Sequence, residues 1–127
     1  MACENVVFTN NTFVNVGAGN NVWFNVGTIK QATVTGNLLF MNQSLTNNIS
    51  ILNSANALIT SGTIENNVCY TGQDKTFMAI YGGKDKWFAG VTEITKLESD
   101  PFAGGTFDST TGTFVPNSEY AAFGATR

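Results

Sequence analysis

A short phrase that recurs along the chain constrains its fold more than any other feature. It reads VFTNNTF at residues 7–13, VTGNLL at residues 34–39 and IENNVC at residues 64–69. The second residue of each Asn-Asn or Gly-Asn pair marks the repeat, and the markers Asn11, Asn37 and Asn67 are separated by 26 and then 30 residues. A period of this length is typical of solenoids, in which one coil stacks on the next. The sequence therefore predicts that the three markers lie above one another.

Apolar residues flank each marker at fixed distances, three residues before it and two residues after it. These flanking positions hold Phe8 and Phe13, Val34 and Leu39, and Ile64 and Cys69. A second apolar run follows each marker, at residues 22–25, 49–53 and 77–81. Short β-branched and aromatic runs broken by Asn and Gly are typical of strands that end in tight turns. Each coil is therefore expected to carry at least two strands, with Cys69 as a small buried residue and Cys3 as a free thiol.

The arrangement of these strands favours a parallel solenoid over an antiparallel sandwich. Hairpins favour two-residue turns between neighbouring strands, whereas the similar strands of this chain recur a whole repeat apart. No apolar run has helical spacing over a length sufficient for a helix. We therefore expect one all-β domain over residues 1–127, with the sandwich as its structural alternative.

Composition excludes several classes of partner. The chain of 127 residues has a net charge of −3 and no basic cluster, so nothing in it attracts nucleic-acid phosphates. Its apolar runs are far shorter than the roughly 20 residues needed to span a bilayer. We therefore expect neither nucleic-acid binding nor membrane insertion. The asparagine markers are interpreted as a structural ladder, because stacked amides can bond to each other and to the backbone.

The C-terminal segment adds a resemblance to a known superfamily. Asp100-Pro101-Phe102, the strand-like run at residues 112–118 and the small-residue tail at residues 120–124 resemble the closing segment of secreted bacterial right-handed parallel β-helix proteins. These belong to the pectate-lyase-like superfamily, and the Asn-Asn coils are similar to Bacteroidetes-type β-helix domains of unassigned function. The resemblance implies an all-β, right-handed parallel β-helix of about four coils with a C-terminal closing segment. It also implies a secreted or cell-surface location for the parent protein.

Catalytic residues are not evident. The chain has no His, which removes the commonest general base and any His-based zinc site. Its acidic residues are almost absent from the first two repeats and dispersed through the last third. We therefore expect no catalytic residues, no metal and no cofactor in this chain, and a polysaccharide lyase activity would need coils upstream of residue 1.

Aromatic residues near polar loops give the binding hypothesis. Sugars stack on exposed rings and bond to neighbouring polar groups, and the candidates are Tyr81, Lys84, Asp85, Lys86, Trp87 and Trp23. Strand alternation places Phe24 in line with Leu52 and Ile80 and turns Trp23 toward the opposite face. The competing interpretation is that both Trp side chains cover the core beneath a loop, and that the charges at residues 84–86 are ordinary solvated loop charges.

The start of the chain leads to the second hypothesis. A β-helix exposes apolar side chains and unpaired backbone at an uncapped end, and residues 1–5 are too few to form a cap. We therefore expect the chain to be the C-terminal part of a longer β-helix, or to pack its first coil on a partner. Two functions follow as hypotheses: a non-catalytic, polysaccharide-associated scaffold that binds glycan, or a self-assembling module of a fibre, adhesin or phage type that stacks through its N-terminal coil as a homo-oligomer.

Overall fold

Short β-strands are the main regular secondary structure of the chain. A computed structural model describes residues 2–17, 22–24, 28–53, 59–82 and 84–125. The strands are β1 Ala2–Thr9, β2 Thr12–Val14, β3 Val22–Phe24, β4 Thr28–Thr35, β5 Leu38–Phe40, β6 Ile49–Asn53, β7 Ile59–Glu65, β8 Val68–Tyr70, β9 Phe77–Tyr81, β10 Thr95–Lys96, β11 Thr106–Asp108 and β12 Thr113–Val115. Short 3-10 helices span Lys84–Lys86 and Ser118–Tyr120. In the described part of the chain, no helix is long and apolar enough to cross a membrane.

Three parallel sheets are visited in the same order on each pass of the chain. Sheet 1 has the order β1-β4-β7, sheet 2 has β10-β8-β5-β2, and sheet 3 has β3-β6-β9. Every pairing within these sheets is parallel, so the antiparallel sandwich is wrong and the all-β, parallel prediction is confirmed. We call β1 to β3 the first coil, β4 to β6 the second and β7 to β9 the third. Each coil has three strands, and a fourth pass follows with the bridge of Val91 to Ile64 and with β10.

In each coil, a residue in the left-handed backbone conformation makes the turn between sheets 1 and 2. Asn10, Gly36 and Asn66 occupy equivalent positions just before the markers, with φ values of 55°, 70° and 56°. Only Gly and, among other residues, chiefly Asn adopt this conformation at low cost. This explains why Asn-Asn and Gly-Asn pairs recur. The first residue of each pair adopts the left-handed conformation of the turn, and the second is the marker asparagine.

The marker side chains are joined by hydrogen bonds from coil to coil. The Asn37 Oδ1 accepts from the Asn11 main-chain N at 2.8 Å, and the Asn67 Oδ1 accepts from the Asn37 N at 3.0 Å and the Asn37 Nδ2 at 2.9 Å. The Asn37 Nδ2 also donates to the Phe8 carbonyl at 2.9 Å. Asn37 is fully buried, at 0% exposed. Because a buried amide must be hydrogen-bonded, the ladder satisfies these groups and ties each turn to the next.

The main core lies between the three sheets and is filled by stacked rows of apolar side chains. In one row of sheet 1 the side chains become smaller from coil to coil. Val6 is the register partner of Ala32, and Ala32 is the register partner of Gly62. Gly62 has a φ of 138°, and a Cβ at this position would lie 1.9 Å from the Ala32 carbonyl oxygen. Glycine is therefore required at the third level of this row.

A second core covers the outer face of sheet 2. Leu38 and Phe40 of β5 turn outward and are buried with Val68 and Phe102, while Leu39 between them belongs to the main core. The β11-β12 hairpin adds Phe107 and Phe114 to this cluster. All three residues of β5 are buried because sheet 2 is covered on both faces.

The C-terminal segment runs along the side of the coils. Phe102 packs against Phe40, the Gly124 main-chain N donates to the Gly36 carbonyl at 2.8 Å, and the Ala125 N donates to the Thr12 Oγ1 at 2.9 Å. The segment therefore reaches back from the last pass to the first coil. It lies on the flank of the coils because sheet 2 presents an apolar outer face to cover.

The thiol of Cys69 lies inside the main core. Its Sγ is 3.5 Å from the Thr76 Oγ1, and burial raises the pKa of the Cys69 thiol above its ordinary value. The side chain therefore stays protonated at neutral pH and fills the place that Leu39 holds one coil earlier. The side chain of Cys3 lies outside the described residues.

Candidate functional site

A groove of about 550 Å³ opens beside β9, the last strand of sheet 3. In the first three coils a strand of sheet 3 follows each strand of sheet 2, but after β10 the chain leaves toward Asp100 and Pro101. The groove occupies the space next to β9 on this fourth level. Its walls are formed by Asn48, Thr76, Phe77, Met78, Ala79, Lys84, Trp87, Glu93, Ile94, Thr95 and Lys96.

The aromatic wall of the groove comes from the turn that follows β9. The chain forms the 3-10 helix Lys84–Lys86, and the Trp87 main-chain N donates to the Lys84 carbonyl at 3.1 Å. The Trp87 ring is half-buried against the main core, and its Nε1 donates to the Ile80 carbonyl at 3.4 Å. Trp87 is therefore held in place by packing and by a hydrogen bond while part of its ring lines the groove.

Polar groups surround this ring. The Lys84 Nζ and the Glu93 carboxylate form an ion pair at 2.8 Å, with side chains 68% and 63% exposed, so the pair contributes little to stability. The Lys96 Nζ donates to the Gln73 carbonyl. On the opposite wall, the Asn48 Oδ1 accepts from the Thr76 main-chain N at 3.0 Å. The groove thus has an apolar base and is surrounded by ammonium, carboxylate and amide groups.

The edge of β9 lies at the base of the groove. The Ile49 N donates to the Thr76 carbonyl at 3.0 Å, and parallel ladders use alternate residues of each strand. Met78 therefore directs its main-chain groups toward β6, whereas Ala79 directs its N–H and C=O away from β6. Ala79 lines the groove but is 1% exposed, so its main-chain N–H and C=O are shielded from solvent at the base of the groove.

The structure brings some of the predicted binding residues together and leaves others apart. Lys84 and Trp87 line the groove. Asp85 and Lys86 are exposed on the same 3-10 helix, and Tyr81 is 51% exposed at the end of β9, but these three are not among the lining residues.

Trp23 lies in the first coil and is not among the lining residues of the groove. Strand alternation turned it toward the face opposite Phe24, but it packs on the main core with its ring centroid 4.9 Å from Phe13 and 5.4 Å from Phe77. Phe24 also contacts the core, 5.9 Å from Phe8 between ring centroids. Both side chains of β3 therefore pack on the main core, and alternation does not separate them. The Trp23 Nε1 donates to the Val16 carbonyl at 3.1 Å.

Several groove residues were missed by sequence reasoning. Glu93 and Lys96 belong to the fourth pass, and only the stacking of coils places them beside β9. Asn48 and Thr76 carried a usable signal, because each directly precedes the equivalent strand of sheet 3 in successive coils. A polar residue at the same position of two repeats indicates a shared surface.

Among the described residues, no three His, Cys, Asp or Glu side chains gather as a metal-binding group. No protein-family model, curated protein or solved structure matches this chain.

Proposed function

We propose that the chain is a non-catalytic scaffold that binds a glycan in the groove beside β9, and that its coils wind as a right-handed parallel β-helix of the pectate-lyase-like kind. The parent protein is then a secreted or cell-surface bacterial protein associated with polysaccharide. The observation that carries this proposal is the groove itself, in which the fixed ring of Trp87 lies among polar side chains beside β9.

The chemistry of the groove suits a sugar. A pyranose ring has an apolar face that packs on an aromatic ring, and its hydroxyl groups need both donors and acceptors around the edge. Trp87 supplies the ring, the Lys84 ammonium is a donor, and the Glu93 carboxylate is an acceptor.

The single carboxylate among the described lining residues favours binding over hydrolysis. Glycosidases place two carboxyl groups on either side of the scissile bond, about 5 to 9.5 Å apart. Glu93 is the one carboxylate among the described lining residues, and it is paired with Lys84. The groove therefore supplies one half of that arrangement.

Replacing Trp87 with alanine should weaken glycan binding at least tenfold, equivalent to about 1.4 kcal/mol, because the stacking surface is lost. Binding is measured by calorimetric titration of the purified chain with a broad panel of soluble plant and microbial polysaccharides. Trp87→Phe keeps a ring in place and should retain most of the affinity. Thermal melting of each variant separates loss of binding from loss of folding.

The two lysines of the 3-10 helix provide a matched control. Lys84 and Lys86 are both exposed, but only Lys84 lines the groove. Lys84→Gln should therefore reduce affinity while Lys86→Gln leaves it unchanged. Binding to no member of the panel, or equal affinities for Lys84→Gln and Lys86→Gln with Trp87→Ala unaffected, would contradict the proposal.

A further inference from the structure

The first coil is less well covered than the two coils that follow it. Its apolar side chains Phe8, Phe13, Trp23 and Phe24 are all half-buried. The positions that align with them in the later coils are at most 3% exposed: Val34, Leu39, Ile51, Leu52, Ile64, Cys69, Ala79 and Ile80. In sheets 1 and 2 the later positions have a neighbour on both sides, because Val91 and β10 continue these sheets beyond the third coil. In sheet 3 no described strand lies beyond β9, and Trp87 packs on the core there. The first coil has a described neighbour on one side only, and a further layer of similar shape would cover its half-buried rings.

The backbone of this coil is open in the same direction. Strands β1, β2 and β3 are each the terminal strand of their sheet. The Asn10 N donates to the Thr35 carbonyl at 3.0 Å, so alternation along β1 turns the main-chain groups of Val7 and Thr9 away from β4. No described residue bonds these groups. Three neighbouring strands thus have no pairing partner on this side among the described residues.

The usual protections of a free edge are missing from this segment. Natural edge strands are commonly blocked by Lys, Pro or inward-pointing charges. Residues 2–24 contain neither Lys nor Pro, and their single charged residue is Glu4. Its carboxylate lies 3.0 Å from the Lys30 Nζ on the neighbouring strand. Two copies of this surface can therefore approach each other without repulsion between like charges.

The opposite end of the stack is a poor partner for this surface. The outer edge of β7 is already bridged to Val91, and that of β8 is paired with β10. The remaining edge, β9, faces the groove with Lys84, Glu93 and Lys96. Burying these charges beneath an apolar coil costs free energy. A first coil is therefore better matched to another first coil than to the far end of the molecule.

We infer that two copies of this chain associate through their first coils, head to head, as a closed two-fold dimer. In such an isologous interface the same surface is used twice, so β1 pairs with β1 of the second copy in antiparallel orientation. The main-chain groups of Val7 and Thr9 gain partners, and Phe8, Phe13 and Trp23 gain the covering layer that their counterparts already have. The interface lies at the end of the stack opposite the groove, so the inference is independent of glycan binding.

The test is light scattering and sedimentation of the full chain across a wide concentration range. Val7 is 57% exposed on the outer face of β1, so a lysine there adds an edge charge without opening the core. Val7→Lys should raise the dissociation constant of the dimer at least about tenfold, since like charges across an interface are costly. The matched control is Val115→Lys, because Val115 is 38% exposed on the C-terminal hairpin and should leave the dimer unchanged.

A concentration-dependent dimer that Val7→Lys weakens and Val115→Lys does not would support the inference. Three outcomes would overturn it: a monomer throughout the range, a mass that climbs past the dimer as in head-to-tail fibres, or a dimer that both variants leave intact. Glycan titration of the same samples reports on the groove separately, so failure of one proposal is distinguished from failure of the other.

Discussion

Replacing Asn37 with alanine should lower the free energy of unfolding by about 3 to 5 kcal/mol. Asn37 is the middle rung of the asparagine ladder, is fully buried, and takes part in bonds to both neighbouring coils. Its loss leaves the Asn11 N, the Asn67 Oδ1 and the Phe8 carbonyl with fewer partners, and each unsatisfied buried group costs about 1 to 3 kcal/mol. Unfolding in denaturant, followed by circular dichroism, measures the change.

An exposed pair of asparagines, which follow β2 and β5, provides the control. The Asn15 Nδ2 donates to the Asn42 Oδ1 at 2.9 Å, and the Asn42 N donates to the Asn15 Oδ1 at 2.8 Å, both in contact with solvent. Because water can replace these bonds, Asn42→Ala should cost less than about 1 kcal/mol. Equal losses at Asn37 and Asn42 would show that the buried ladder contributes no more than an exposed pair.

Phe40→Ala should cost about 3 to 5 kcal/mol and should also loosen the C-terminal segment. The side chain is 3% exposed on the outer face of sheet 2, with ring centroids 5.6 Å from Tyr70, 5.1 Å from Phe102 and 5.0 Å from Phe107. It joins β5 to the segment that runs along the flank of the coils. We expect faster hydrogen exchange and faster proteolysis in residues 100–125, in addition to the lower stability.

Substitution of Phe107 separates the loss of stability from the loosening of the C-terminal segment. It belongs to the same aromatic cluster but is 37% exposed, so Phe107→Ala removes less buried area. Its cost should be about 1 kcal/mol, with little change in exchange along β5. If Phe40→Ala leaves the C-terminal segment as well protected as before, the segment is held by contacts other than this cluster.

The coils could be predicted from the sequence because each level repeats the same local chemistry. A left-handed residue, a buried Asn and flanking apolar residues recur in VFTNNTF, VTGNLL and IENNVC, and pairing of Phe8 with Val34 and Ile64 preserves this register. Each coil was expected to carry at least two strands and has three. The boundary between the first two strands was not located, because the long strands β1, β4 and β7 run directly into the marker phrases.

The burial of individual side chains and the position of the C-terminal segment depend on long-range contacts, which the sequence does not show. Val7 and Phe8 are both apolar, yet Val7 is exposed and Phe8 packs on the core, because adjacent strand residues face opposite sides. Phe13 is only half-buried because its coil has a neighbour on one side. The position of the C-terminal segment depends on the outward turn of Phe40, which is hidden in a strand whose three residues are all apolar.

Of the residues that line the groove, only those in the turn that follows β9 were predicted from the sequence. Trp87 and Lys84 were recognisable as an aromatic and a cation in a polar loop. Glu93 and Lys96 come from the next pass, and their place beside β9 depends on where the chain leaves the stack after β10. A local pattern carries no information about that departure.

Stacking of the coils in register underlies the ladder, the groove and the open first coil, and a cross-linking measurement tests it most directly. Thr33 and Thr63 are register partners in sheet 1. Neighbouring strands lie about 4.8 Å apart, within disulfide range, whereas an offset of two residues gives about 8 Å, beyond the limit of about 7 Å. In a chain with Cys3→Ser, the pair Thr33→Cys and Thr63→Cys should form an intramolecular disulfide, seen by non-reducing mass spectrometry, while Thr33→Cys and Ser61→Cys should stay reduced. A disulfide in the second pair alone, or in neither, would contradict the stacked register.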